Sequence, residues 1–352
     1  MTCPLFVELC AGTAAVSLRL AHPRGRPPVS RMGAKTGYAD VILRCLGLRL
    51  GGGADRYLWC EPDAGVRLLL HAYTDRALAL AAAEVIRGWK DEDPRALWER
   101  LRAEGPAVCP PVDPREVARA ARLLTANRLI NLDPQTWRNT GEGGTTHGGE
   151  EFCTPAPALA DALGAAVEVA GAAVVDDARA VDPREVARWS WIQCRTLHGE
   201  VFKPQIVTGK HHTGGNRNYS NDAPASRLID APTLPATITD DARAVDPPQL
   251  PPGVVVYIDP PYVGTTGYAH AFPRSEWLPI VRRWAEAGAL VCVSEAEPIP
   301  DLMAEGWHAV EITGERKGQK RTFSKQQREW LTISRPPAWK PSIQGQLFGG
   351  EL

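Results

Sequence analysis

The sequence predicts an α/β protein in which an open, largely parallel sheet is buried between layers of helix, and three stretches carry that expectation. Residues 254–258, Val-Val-Val-Tyr-Ile, are apolar on both faces of the pleat, as a central strand must be. The run stops at Asp259, where Pro260 and Pro261 remove ladder donors and fix the local backbone. Residues 5–20 read as strand, small-residue turn through Cys10-Ala11-Gly12-Thr13-Ala14, then helix; residues 56–60 read as a second strand ending in Glu61-Pro62-Asp63. Open α/β sheets hold ligands at the carboxyl ends of such strands, so these three corners form the candidate site. There an acidic group after the second strand is placed to accept hydrogen bonds from ribose hydroxyls, with Glu61 first and Asp63 in reserve.

The remaining elements follow from periodicity and punctuation. After a Pro/Arg-rich loop over 23–30, the segment Arg31-Met32-Gly33-Ala34-Lys35-Thr36-Gly37-Tyr38 leads into a helix predicted over 39–46. Gly51-Gly52-Gly53 marks a loop, and one helix is predicted over 64–87. Further helices start at Asp93-Pro94, Asp113-Pro114 and Asp182-Pro183, each an Asp N-cap followed by Pro in the first helical position. Residues 140–149 are too glycine-rich to pack, and the alanine-rich stretch 155–175 reads as a helix or helix pair. The octapeptide Asp-Asp-Ala-Arg-Ala-Val-Asp-Pro recurs at 176–183 and 240–247, too short for a solenoid and without a physical account. A helix over 275–287, a buried strand over 289–294, a short helix over 301–305 and strands over 308–313 and 330–334 complete the pattern.

At 352 residues the chain holds one large domain or two. A hydrophobic content of 44% with mean hydropathy -0.23, no apolar run of spanning length, and Met1-Thr2-Cys3-Pro4 running into strand-like sequence lead us to expect a cytoplasmic protein without export signal. Eight cysteines without a Cys-x-x-Cys pair or nearby histidine spacing disfavour zinc and a disulfide frame, and no metal is expected. The net charge of -1 does not advertise nucleic acid, so binding to it would need local patches. One gathers Arg195, Lys203, Lys210, Arg217 and Arg227; another runs from Arg316 through Lys320 and Arg321 to Arg335 with Glu329 as its single acidic residue.

A rigid Asp-Pro-Pro-Tyr corner suits one kind of chemistry. The exocyclic amine of a nucleobase is a poor nucleophile because its lone pair is delocalised into the ring. A carboxylate and a main-chain carbonyl that accept its N–H bonds draw the nitrogen towards tetrahedral geometry, while an aromatic ring against the base holds it in place. The lone pair then points at an electrophile, for which a methyl sulfonium suffices without a metal or a covalent enzyme intermediate.

Asp259-Pro260-Pro261-Tyr262 resembles the catalytic motif of the amino-methyltransferases. Val7, Glu8 and Gly12 are similar to motif I of DNA adenine methylases of the Dam type, with Cys10 where that family has Phe and Ala14 where it has a second Gly. Gly33-Ala34-Lys35 resembles the family's Gly-Gly-Lys element, which there precedes motif I and here follows it. Glu61 resembles the acidic residue of motif II, and Arg321-Thr322 the Arg-Ser/Thr pair before the last strand.

The resemblance implies a Rossmann-like seven-stranded S-adenosylmethionine methyltransferase fold built from residues 1–105 and 250–340, with a mostly helical and loop target-recognition region inserted over 106–249 and a flexible tail over 341–352. It implies S-adenosylmethionine held by Glu8, Cys10, Gly12, Lys35, Glu61 and Asp259, and methylation of adenine N6 in a flipped-out base by Asp259, Pro260, Pro261 and Tyr262. Duplex DNA is the expected partner, met by Arg195, Lys203, Lys210, Arg217, Asn218 and Tyr219 on a glycine-hinged segment and by Lys320 and Arg321. Cytosine N4 methylation stays open because the same corner serves it, and so does a catalytically lapsed DNA-binding relative, given Cys10 and Ala14. A glutamine or RNA-base substrate is disfavoured, since that branch carries Asn where this chain has Asp259. In the tail, Gln344-Gly345-Gln346-Leu347-Phe348 resembles the Gln-x-x-Leu-Phe pentapeptide that bacterial clients insert into the replication sliding clamp. The expected setting is the nucleoid of a bacterial or phage host cell, as a monomer or weak dimer, with restriction-modification as one context.

Overall fold

A computed structural model of the chain describes residues 3–29, 34–104, 112–126, 156–169, 172–175, 177–183, 186, 250, 252–262, 272–315 and 328–341. The strands are β1 (Phe6–Glu8), β2 (Tyr57–Cys60), β3 (Ala172–Val175), β4 (Val255–Ile258), β5 (Leu290–Glu295), β6 (His308–Glu311) and β7 (Trp330–Ile333). The helices are α1 (Ala15–Ala21), α2 (Ala39–Cys45), α3 (Ala64–Thr74), α4 (Arg76–Gly88), α5 (Pro94–Glu104), α6 (Pro114–Ala126), α7 (Ala156–Gly164), α8 (Arg274–Glu286) and α9 (Pro300–Ala304).

The strands form one seven-stranded mixed sheet in the order β3-β2-β1-β4-β5-β7-β6. The pairs from β3 to β5 are parallel, and β7 alone runs the other way, antiparallel to both β5 and β6. This α/β arrangement is compatible with a Rossmann-like fold, and the strand order reverses between β1 and β4, the position at which such sheets open a ligand crevice. No helix among the described residues is long and apolar enough to cross a membrane.

Apolar runs become central strands here because both pleat faces are covered. Phe6, Tyr57, Trp59, Val255 and Tyr257 face one core, shared with Leu18, Ile42, Leu69 and Ile86 from the helices. Val7, Leu58, Cys60, Val256 and Ile258 face the other, closed by Trp277, Val281 and Trp284 of α8. Each fully buried aliphatic side chain in β4 contributes about 1.5–3 kcal/mol relative to exposure, so that strand is held far more strongly than its four residues of ladder alone would hold it.

Two expectations are corrected. The single helix expected over 64–87 is two, because Asp75 turns extended (φ -144°, ψ 104°) and its carboxylate caps the second helix by accepting from Ala77 N and Leu78 N. The alanine-rich stretch 155–175 is helix α7 followed by strand β3, which pairs with β2 from Tyr57↔Ala172 to Cys60↔Val175. Alanine favours helix locally, but pairing with the edge of a buried sheet overrides that preference. Leu159, Leu163, Val117 and Leu124 lie in the same core cluster as Phe6, Tyr57 and Val255 of the sheet.

Candidate active site

Backbone register brings three strand ends together. Glu8 lies opposite Trp59 of β2 and Tyr257 of β4, so the turn after β1 continues between Glu61 and Asp259. Leu9 N donates to Tyr257 O (3.0 Å) and Ala11 N to Cys60 O (3.0 Å), which ties that turn to both neighbours.

The turn is left-handed at Gly12 (φ 49°) and again at Ala14 (φ 52°), the only non-glycine residue with positive φ among those described. Ala14 thus keeps the conformation that glycine would adopt at the helix entry, at a cost of about 1–2 kcal/mol for an L side chain. A Cβ built on Gly12 would meet nothing within 4 Å, so that face of the turn looks onto open space. Beside it, Glu61 accepts from Gly12 N (2.8 Å) and Asp63 N (3.0 Å), while Asp63 caps α3 through Val66 N (3.1 Å). Of the two acidic candidates after β2, Glu61 therefore faces the turn and Asp63 serves the helix.

Glu8 has a different surrounding. Its buried carboxylate accepts from Ser17 N (2.6 Å) beneath the turn, and Ser17 Oγ in turn accepts from Trp59 Nε1 (2.8 Å). Burial pushes the Glu8 carboxyl up to about 8. In this position it braces the first turn of α1. Cys10 is half-buried, its thiol raised well above the ordinary range by loss of solvent and then by the Glu61 and Asp259 carboxylates.

At the head of β4 the structure gathers charges from three distant segments. Lys35, in a short 3-10 turn (Lys35–Gly37) before α2, has its ammonium 2.8 Å from Asp259 Oδ1 and 3.6 Å from Glu329 Oε1. The same ammonium lies 4.8 Å from the centroid of the Tyr262 ring. Tyr262 is buried and donates its hydroxyl to Glu329 Oε1 (2.5 Å). Tyr257 bonds Ser294 Oγ (2.6 Å) underneath.

Glu329 was not among the residues expected from sequence. It arrives because β7 is antiparallel: Trp330 pairs with Glu295 at the carboxyl end of β5, so the residue before Trp330 reaches the same edge as Asp259. Its backbone is pinned by Glu329 N donating to Thr313 Oγ1 (2.9 Å) and by its carbonyl accepting from Ile312 N (2.8 Å). The only sequence signal was a lone acidic residue among many cations.

Electrostatics follow from burial. The Asp259 carboxyl is raised by desolvation, with Lys35 opposing. Glu329 is raised to about 7 by desolvation, again opposed by Lys35 and reinforced by Asp259. The Tyr262 phenol is pushed well above its usual range by burial and the two carboxylates, so it acts as a neutral donor.

Matched against models of known protein families, the chain fits none, and no curated protein matches it. The site is therefore characterised by its own residues. Asp259, Pro260, Tyr262, Gly12, Lys35 and Glu61 fall at one edge of the sheet, with Glu8 beneath it. The expected DNA contacts Arg195, Lys203, Lys210, Arg217, Asn218, Tyr219, Lys320 and Arg321, and the tail segment 344–348, lie outside the described residues. Among the described residues no group of His, Cys, Asp and Glu could hold a metal ion.

Proposed function

We propose that this chain is an S-adenosylmethionine-dependent DNA methyltransferase acting on the exocyclic N6 amine of adenine in a flipped-out base. The observation that carries the reading is the Asp259-Pro260-Pro261-Tyr262 corner, half-buried at Asp259 and buried at Tyr262, at the sheet's switch point beside the Gly12 turn and Glu61. The seven-stranded sheet with one reversed strand agrees with the S-adenosylmethionine methyltransferase fold that the motifs suggest.

The cofactor fits what the turn offers. Gly12 has an open face where backbone can come close to a ligand, and Glu61 has a carboxylate beside it suited to ribose hydroxyls. Bound there, S-adenosylmethionine would supply an electrophilic methyl group. The chain's own contribution is orientation. Asp259 and the Pro260 carbonyl accept the amine N–H bonds, and Tyr262, its ring oriented through the hydroxyl's bond to Glu329, gives the base a flat surface. Taking the base out of the duplex costs a few kcal/mol, which contacts to phosphate by the basic segments would offset.

A lapsed catalyst is less well supported than an active one, because Ala14 retains the left-handed turn despite its side chain. The test is incubation with tritiated S-adenosylmethionine and duplex DNA, followed by digestion to nucleosides. Label in N6-methyl-2′-deoxyadenosine is the expected result. Label in N4-methyl-2′-deoxycytidine would move the assignment to the other amine, and absence of label together with no calorimetric binding of S-adenosylhomocysteine would refute the proposal.

A further inference from the structure

Lys35 sits where the substrate amine has to bind. On the methyltransferase reading, Asp259 must offer an oxygen to an N–H of the base, yet Asp259 Oδ1 is paired with the Lys35 ammonium at 2.8 Å. Both side chains are largely out of solvent, 8% exposed for Lys35 and 19% for Asp259. Freeing Asp259 by expelling the lysine into an apolar surrounding would leave a buried charge unpaired, which is strongly unfavourable. A second carboxylate stands within reach. Glu329 Oε1 is 3.6 Å from the same ammonium, on a backbone tied down by Thr313 and Ile312, whereas the lysine has a flexible four-carbon stem.

We propose that Glu329 is a positioning residue that takes over the Lys35 ammonium as the base enters, so that the Asp259 carboxylate is released to orient the amine. This inference rests on the methyltransferase reading. Among the described residues, the titratable groups that face Glu329 are Lys35 from the 3-10 turn, Asp259 and Tyr262 from the corner after β4, Tyr257 on β4 and Cys292 on β5. Tyr257 and Cys292 are raised well above their ordinary values and stay neutral, so the exchange involves Lys35 and the two carboxylates. A protonated Glu329 cannot act as a counter-ion, and the Lys35 ammonium then remains on Asp259. Because burial raises Glu329 to about 7, the handover is lost as pH falls through that region.

The experiment is single-turnover methyl transfer from tritiated S-adenosylmethionine to duplex plasmid DNA across pH, for the parent and for Glu329→Gln. The amide keeps an oxygen for the Tyr262 hydroxyl but carries no charge. The expected result is a rate lowered about tenfold or more, as for a lost hydrogen bond to a charged group, with DNA affinity and S-adenosylhomocysteine affinity within about twofold of the parent. The parent should show an acid limb at about 7 that the variant lacks. A residue that only braced Tyr262 would leave the pH profile unmoved. Parental rate and profile in Glu329→Gln overturn the handover. Should that variant not fold, Glu329→Asp and the parent profile decide: a parent rate flat from about pH 5.5 to 8, or a folded Glu329→Asp without the limb, overturns it equally. A parent that methylates DNA while the handover fails leaves the functional reading intact, whereas a parent that transfers no methyl group overturns both.

Discussion

Replacing Asp259 by Ala removes the carboxylate to which the proposed reaction assigns amine activation, and the structure sets what should follow. Lys35 loses a partner at 2.8 Å but keeps Glu329 at 3.6 Å. With an effective dielectric constant of about 20, those separations correspond to attractions of roughly 6 and roughly 5 kcal/mol, so the variant gives up the first and keeps the second. The desolvation cost of burying Asp259 disappears at the same time, and the variant should unfold within a few degrees of the parent. Catalysis should respond far more. A hydrogen bond from the amine to a charged acceptor contributes about 1.5–3 kcal/mol, and loss of one preorganised group at a reacting centre lowers kcat by about 100- to 1,000-fold. Single-turnover transfer of tritiated methyl groups to DNA measures this directly, with thermal melting as the control for folding. Transfer by Asp259→Ala at the parental rate would refute the reasoning, whatever its stability.

Three further outcomes are expected. Gly12→Ala strains a left-handed turn by about 1 kcal/mol and fills the open space beside it, so S-adenosylhomocysteine affinity measured by calorimetry should fall by more than the stability does; unchanged affinity would remove the turn from the cofactor site. Glu61→Ala withdraws the acceptor next to that turn and should weaken the same affinity about tenfold or more, while a variant binding normally would leave Glu61 as a brace for Gly12 and Asp63 alone. The buried Glu8 has a folded value of about 8, above the ordinary 4.5, so the folded state holds a proton that the unfolded state has released. Its contribution to stability is therefore full below about pH 4.5 and lost as pH rises towards about 8. Glu8→Gln should flatten that fall in melting temperature, and parallel pH curves for the two proteins would count against the assignment.

The strands of the central sheet were legible because their signal is local. Runs such as 254–258 are apolar on both faces only where both faces are covered, and Asp259-Pro260-Pro261 ends the run within the same few residues. The Gly12 turn and the Asp caps at 93 and 113 were readable for a like reason, each being a backbone requirement met by its own residue. The break at Asp75 carried a usable signal too, a helix-capping side chain within a helical pattern. Strand β3 did not, because Ala172-Ala173-Val174-Val175 becomes a strand only when the edge of β2 is there to pair with.

By itself the sequence determined the α/β class, the corner at the head of β4 and the small-residue turn after β1, since each depends on neighbours along the chain. Only the tertiary structure decided that Lys35 and Glu329 share an ammonium–carboxylate cluster with Asp259, that Glu8 lies under the turn and that Glu61 faces it. The physical reason is that side-chain partners are set by strand order and direction: inserting β7 antiparallel beside β5 turns the start of the last strand towards the carboxyl ends of the parallel ones, and no periodicity along the chain encodes that reversal.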